Sequence, residues 1–326
     1  MHILIIGAAG MVGVKLTQRL MDDRTLAGQP IDRLTLVDIV APAKPGAPFM
    51  VETDAADLSA PGVAAEVVST RPDVIFHLAA IVSGEAEADF DKGYRVNLDG
   101  TRNLFEAVRA VGDGYRPRVV FTSSIAVFGA PFPGAIGDEF FTTPLTSYGT
   151  QKAICELLLA DYTRRGIMDG VGVRLPTICV RPGKPNKAAS GFFSGIIREP
   201  LAGQEAILPV PETVRHWHAS PRSAVNFLLH AAGLDGDKIG PRRNLTMPGV
   251  SATVADQIAA LRKVAGDAVA ARIRREPDPT IMRIVEGWPQ NFAPERAIAL
   301  GFRAENDFEE IIRIHIADEL GGTWVG

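Results

Sequence analysis

Ile3-Leu4-Ile5-Ile6-Gly7-Ala8-Ala9-Gly10-Met11-Val12-Gly13 decides how this chain is read: a short apolar run stops at a glycine, and two more glycines follow at intervals of three. The run suits a strand buried on both faces. The turn that follows needs backbone angles only glycine reaches cheaply, and a missing side chain at Gly10 lets the main chain touch a pyrophosphate seated on a helix N-terminus. Gly7, Gly10, Met11, Val12 and Gly13 are therefore the expected residues of a dinucleotide-binding turn. Asp38 ends the next apolar run, where an acid accepts hydrogen bonds from both adenosine ribose hydroxyls. Its charge repels a 2′-phosphate, which favours NAD over NADP.

Working outward, apolar runs at residues 34–37, 74–77, 119–122 and 172–175 alternate with helical patterns. Leu104, Ala107, Val108 and Val111 repeat at helical spacing within 98–111, and Ile154, Leu157, Leu158 and Asp161 within 152–162. This alternation predicts an α/β fold, a doubly wound parallel Rossmann sheet with helices on both faces. The chain has 326 residues, which at about 150 residues per domain suggests two domains. Beyond Arg181 the pattern is broken by Pro182, Pro185, Pro200, Pro209, Pro211 and Pro221, and proline cannot donate to a central strand ladder. The expected organisation is an NAD-binding Rossmann domain over 1–180, with 223–250 returning to it. A smaller C-terminal α/β substrate lobe takes 181–222 and 251–326, with helices at 254–264 and 308–320.

Composition excludes several classes of function. Hydrophobic residues make up 46% and charged residues 22%, which suits a globular chain and not a disordered one. The net charge is −4 with no long basic run, so nucleic acid is not an expected partner. Glycines interrupt the opening apolar run, arguing against a signal peptide, and no stretch reaches the roughly 18 apolar residues of a membrane span. Two cysteines, Cys155 and Cys179, are too few for a disulfide framework and suit the reducing cytoplasm.

A second group of residues points to chemistry. Tyr148 and Lys152 stand four apart, hence on one helical face, and Thr122-Ser123-Ser124 places hydroxyls at the C-terminal end of a buried strand, where open α/β sheets bind ligands. With Asp57-Leu58, His77-Leu78-Ala79-Ala80 and Asn97-Leu98-Asp99-Gly100-Thr101, these motifs cover about half the chain. In their order they resemble the extended short-chain dehydrogenase/reductase family, which includes sugar-nucleotide epimerases and dehydratases. The resemblance implies a catalytic role for Ser124, Tyr148 and Lys152, and an adenine contact at Asp57 and Leu58, with Asp54 as a less well-spaced alternative. It also places Ala79, Tyr148, Lys152 and Pro176 against the cofactor. Phe128 departs from the tyrosine common in epimerases, at a position outside the acid/base pair.

The proposed chemistry follows from the side chains. Tyrosine, with a pKa of about 10, is a poor base at neutral pH, but Lys152 and a positive nicotinamide ring both favour its phenolate. Tyr148 then takes a proton from a substrate hydroxyl that Ser124 holds in place. The segments 79–104 and 174–183 resemble the members of the family that oxidise the 2-hydroxyl of a four-carbon sugar acid, D-erythronate, with NAD, which implies a 2-oxo acid product. A small anionic substrate needs a cation. Arg181 is the first candidate, Lys184, His216, His218 and Arg222 are rivals, and Ser83 is an expected hydroxyl contact. His216 and His218 lack a third ligand in pattern, so no metal is expected. A sugar-nucleotide epimerase or dehydratase, an L-threonine dehydrogenase and an NAD-sensing regulatory protein are the alternatives. A sensor has no need of Ser124, Tyr148 and Lys152 together. The resemblance further implies a homodimer through the helices at 98–111 and 152–162, with Leu157 or Leu158 at the contact, although a core role explains these leucines equally.

Overall fold

The apolar runs of the N-terminal half all become strands of one sheet in the structure, a computed structural model that describes residues 1–183 and 189–326. The sheet comprises β1 (His2–Ile6), β2 (Arg33–Asp38), β3 (Met50–Ala55), β4 (Val74–His77), β5 (Arg118–Ser124), β6 (Asp169–Leu175) and β7 (Asn244–Thr246). Their order is β7-β6-β5-β4-β1-β2-β3, and every pairing is parallel. β1 lies in the middle, with Ile6 opposite Val37 on one side and His77 on the other. Ile3 to Ile6 are fully buried because layers of helix cover both faces. Successive strands run outward from β1 in both directions, so the chain order reverses between β1 and β4. The carboxyl ends of those strands are where such sheets bind ligands.

Three helices carry the functional segments. α1 (Met11–Asp23) starts at an N-cap glycine, Gly10, and closes where Arg24 adopts a left-handed conformation and its N–H bonds Leu20 O. α2 (Gly100–Val111) continues from a π-helical stretch, Tyr94–Asp99, and buries Leu104, Phe105 and Val108. α3 (Ser147–Arg164) begins at Thr146, whose hydroxyl accepts from Gly149 N at 3.1 Å. Apolar side chains of β1, β2, β4 and β5 form a continuous core with Leu104 and Val108 of α2 and Leu159 of α3. Each such side chain contributes roughly 1.5–3 kcal/mol on burial. Among the described residues no helix is long and apolar enough to cross a membrane.

The chain divides into two units: Met1–Val127 with Pro144–Leu175 and Val225–Thr246, and Phe128–Thr143 with Pro176–Ala224 and Met247–Gly326. The segment 128–143 and residues 176–180, expected in the Rossmann domain, group with the second unit. Ile136–Gly137 pairs with Phe292–Ala293, and Thr177–Ile178 pairs with His218 and Ala219. The second unit has a three-stranded sheet of Thr177–Ile178, Arg215–Ala219 and Val250–Thr253. Its core joins Phe193, Ile196 and Ile197 of helix Gly191–Leu201 to Leu261 of helix Val254–Ala265 and Ile311 and Ile312 of helix Phe308–Glu319. The buried Glu305 carboxylate accepts from Ser220 Oγ, from Ser223 Oγ at 2.7 Å and from Ser220 N at 3.2 Å, at the start of helix Pro221–Gly233.

Candidate active site

The glycine turn after β1 is built by close approach. Gly7 has φ of +90°, and its N–H and that of Ala8 both donate to Val37 O, at 2.8 and 3.1 Å, which turns the chain across the end of β2. A Cβ on Gly7 would lie 2.6 Å from Ala79 N, and one on Gly13 would lie 2.2 Å from Gly7 O, so α1 can start this close to the strand only without them. Gly10 is different: its missing Cβ meets nothing nearer than Gly7 O at 3.4 Å, and the residue is exposed. Its bare main chain and the uncapped N–H groups of α1, a helix of 13 residues, make a seat for a diphosphate. Met11 and Val12, half-buried, form the first turn.

Asp38 stands beside this seat. Its carboxylate accepts from Ala9 N at 2.9 Å and Ile39 N at 2.7 Å, which fixes it at the end of β2. A carboxylate offers about four acceptor sites, so capacity for two ribose hydroxyls remains. Asp57 accepts from Ser59 N at 2.9 Å, Ser59 Oγ at 2.6 Å and Arg95 Nη1 at 3.1 Å. The Ser59 hydrogen bonds, with Arg95 adding to them, hold its pKa below the ordinary carboxylate value. Leu58 buries its side chain in the core, and its carbonyl accepts from Asn103 Nδ2 at 3.0 Å. Asp54 lies exposed on β3, accepting from Ala55 N at 2.8 Å. The glycine seat and Asp38 fit the two ends of an adenosine diphosphate, so the residues suit NAD.

At the reacting end, Ser124 closes β5 and its Oγ accepts from Ala126 N at 3.1 Å, leaving the hydroxyl proton to donate elsewhere. Gly149, next to Tyr148, would carry a Cβ 2.1 Å from Ala126 O; its absence lets α3 close on the turn that follows Ser124. Lys152 is buried, donates from Nζ to Thr122 O at 2.8 Å, and lies 4.7 Å from the Phe121 ring centroid and 5.8 Å from that of Tyr148. Burial pulls its pKa down to about 8 against the opposing pull of Cys155 and Glu156. At neutral pH it remains an ammonium beside a phenol. Ser83 opens the short helix Ser83–Ala88, which meets the start of α3 where Ser147 N donates to Glu87 Oε2 at 3.0 Å.

The other candidates belong to the second unit. Pro176 is buried. Arg181 is half-buried: its Nε donates to Ile178 O at 3.3 Å, its N–H to Ser194 Oγ at 3.0 Å, and its carbonyl accepts from Arg198 Nη1 at 2.7 Å. The three described rivals each have partners of their own. His216 donates from Nδ1 to Pro289 O at 2.8 Å and accepts from Thr177 Oγ1 at 2.7 Å, with burial lowering its pKa to about 4. His218, in contact with Gln257 at 3.0 Å, is pushed well down by the same cause, so neither ring carries charge at neutral pH. Arg222 is held in an ion pair with Asp318. Lys184 lies outside the described residues. Among the described residues no group of three or more His, Cys, Asp or Glu is arranged to hold a metal.

Residues 3–219 match the profile of the NAD dependent epimerase/dehydratase family. The chain belongs to that family. D-erythronate dehydrogenase of Cupriavidus necator is 50% identical over 98% of both chains, and the Haemophilus influenzae protein of the same name is 42% identical over 98% of this chain and all of its own. A crystal structure titled nucleoside-diphosphate-sugar epimerase, from Agrobacterium tumefaciens, is 69% identical with a TM-score of 0.97, covering 99% of this chain and 95% of that one.

In this epimerase/dehydratase family member the structure gives Asn97 a role that its motif did not specify, and it separates Leu157 from Leu158. Asn97, in the π-helical stretch, accepts from Ile81 N at 2.9 Å and donates to Ile81 O at 3.2 Å and Gln151 Oε1 at 2.8 Å, tying the segment before Ser83 to α3. The sequence offered Asn97 as the first residue of the motif Asn97-Leu98-Asp99-Gly100-Thr101, without these partners. Leu157 and Leu158 also part: Leu157 is 69% exposed, whereas Leu158 packs against the core.

Proposed function

We propose that the chain is an NAD-dependent dehydrogenase that oxidises the 2-hydroxyl of D-erythronate to give 2-dehydro-D-erythronate. The observation that carries this is the likeness, over almost the whole length, to two proteins named for that activity, joined to a site whose groups suit it. NAD supplies, when bound, the acceptor for hydride leaving the carbinol carbon. Tyr148 withdraws the hydroxyl proton. Lys152, charged and buried beside it, stabilises the phenolate, and its Nζ also serves the nicotinamide ribose hydroxyls. Ser124 donates to the reacting oxygen and fixes its place, with Ser83 as a second hydroxyl contact. Gly7, Gly10, Met11, Val12, Gly13, Asp38, Asp57, Leu58, Ala79 and Pro176 bind the cofactor. Arg181 takes the substrate carboxylate, since a guanidinium can grip a carboxylate in two places.

A second reading, a nucleoside-diphosphate-sugar epimerase, is favoured by the likeness to the Agrobacterium tumefaciens protein described as one. Purified protein mixed with NAD and a panel of four-carbon sugar acids, threonine and a UDP-sugar separates the readings. Net growth of reduced-cofactor absorbance is expected with D-erythronate alone; epimerised sugar nucleotide with no net reduction refutes the dehydrogenase. Leu157, exposed on α3, supports a homodimer, and light scattering of that preparation giving a monomer mass would exclude it. The unpaired thiols of Cys155 and Cys179 suit the cytoplasm, a location that recovery from another cell fraction would contradict.

A further inference from the structure

Glu156 lies one turn beyond Lys152, as Lys152 lies one turn beyond Tyr148, and its side chain is only 4% exposed. Its Oε1 accepts from Ser123 Oγ at 2.6 Å and Arg174 Nε at 2.8 Å, and its Oε2 accepts from Arg174 Nη2 at 2.7 Å. Its main-chain carbonyl accepts from Asn244 Nδ2 at 3.2 Å. One carboxylate thus joins α3 to β5 and β6, and the carbonyl reaches β7.

A buried ion pair is an inefficient source of cohesion, because desolvation of both charges offsets their attraction and apolar side chains of similar volume often serve as well. What charged hydrogen bonds add is direction. Here the direction is toward Ser123, which lies between Thr122, whose carbonyl receives Lys152 Nζ, and Ser124. We infer that Glu156 is a positioning residue: gripped by Arg174, its carboxylate holds the strand end Thr122-Ser123-Ser124 in register with Tyr148 and Lys152. The inference takes from the proposed function the assignment of those three groups as the reacting end.

Charge gives this role a separable readout. The groups that face Lys152 are Tyr148, Cys155 and Glu156 on its own helix and His77 from β4, with Arg174 behind Glu156 from β6. Burial keeps His77 neutral and the Cys155 thiol protonated, so Glu156 is the acid among them. Glu156→Gln removes the negative charge that helps hold the Lys152 ammonium, and Lys152 then sheds its proton at lower pH.

For Glu156→Gln, kcat with NAD and D-erythronate is expected to fall about 30–100-fold, with KM and the NAD Kd within about threefold, and the alkaline limb of the rate profile to move acidward by about one pH unit. A merely structural lesion lowers the rate at every pH and leaves the limb in place, and either an unmoved limb or an unchanged kcat overturns the inference. Should Glu156→Gln not fold, Ser123→Ala removes the strand contact while leaving the ion pair; a kcat about tenfold lower at unchanged NAD affinity is expected, and a full kcat overturns the inference. A readout without turnover is the phenolate absorbance of Tyr148, taken with NAD as the difference from Tyr148→Phe. Its midpoint is expected to shift in Glu156→Gln, and a fixed midpoint refutes the clamp. If the unaltered protein oxidises no sugar acid while this midpoint still moves, the proposed function fails and the clamp stands.

Discussion

Tyr148 has one task that no neighbour can assume: Lys152 has no acceptor site while charged, Ser124 is a weaker acid than a phenol, and His77 is locked inside the sheet. His77 Nε2 donates to Thr101 Oγ1, which passes its own proton to Asn97 O, and burial beside Lys152 drives the ring's pKa to about 3. Tyr148→Phe is accordingly expected to reduce kcat by at least about a hundredfold, given the roughly 10²–10⁴ that a positioned base supplies. The diphosphate seat and Asp38 are untouched by that change, so calorimetry should find NAD binding within about threefold of the original. Turnover retained in Tyr148→Phe would remove the base from the proposed mechanism. These residues were legible in the sequence because each signal is local. Glycines three apart, an acid ending the next strand and a Tyr-Lys pair four apart each report one turn of backbone.

Elements were legible to the extent that they are buried on both sides. β1, β2, β4, β5 and β6 announce themselves as apolar runs, whereas β3 reads Met-Val-Glu-Thr-Asp-Ala because an edge strand has one neighbour and a partly solvated face. β7, three residues long, is too short to carry any period. The grouping of 128–143 with the second unit was hidden for another reason, since Ile136–Gly137 depends on a partner, Phe292–Ala293, far along the chain. Asn97 with Ile81 and Glu156 with Ser123 are long-range pairs of the same kind. α3 shows how an element converts local sequence into geometry: its first turn fits against Ala126 O only because residue 149 has no side chain. Gly149→Ala should push that turn outward and carry Tyr148 away from Ser124. Misplacement of about 1 Å at a reacting group costs on the order of a hundredfold in rate. The expected pattern is therefore a kcat lower by that factor with NAD affinity little changed, measured by steady-state kinetics beside a cofactor titration. A normal kcat would mean that the contact yields without moving the phenol.

At the scale of the whole molecule, the buried histidines set how the protein meets acid. His77 in the first unit and His216 and His218 in the second are fully enclosed, with pKa values lowered to about 3, to about 4 and well below the ordinary value respectively, each chiefly by burial. In the unfolded chain all three titrate near pH 6.5. Above that pH neither state binds the protons and stability is unaffected; below it the unfolded state takes up protons that the folded state refuses. The stability contributed is thus complete above pH 6.5 and lost as the pH falls toward the folded values. Each histidine removes about 1.4 kcal/mol per pH unit in that window, or roughly 2 kcal/mol by pH 5. Against a total stability of about 5–15 kcal/mol that is a large fraction. The lowered carboxylates, Asp57, Glu106 and Asp256, act in the same direction only nearer pH 4 and below, so they do not obscure it. Denaturant titrations between pH 5 and 8 should show a plateau from pH 7 upward and a steep fall beneath 6.5. His218→Gln, removing one proton acceptor, should flatten the slope by about 1.4 kcal/mol per unit. Equal stability at pH 5 and 7 would mean that these rings are reached by solvent before the fold gives way.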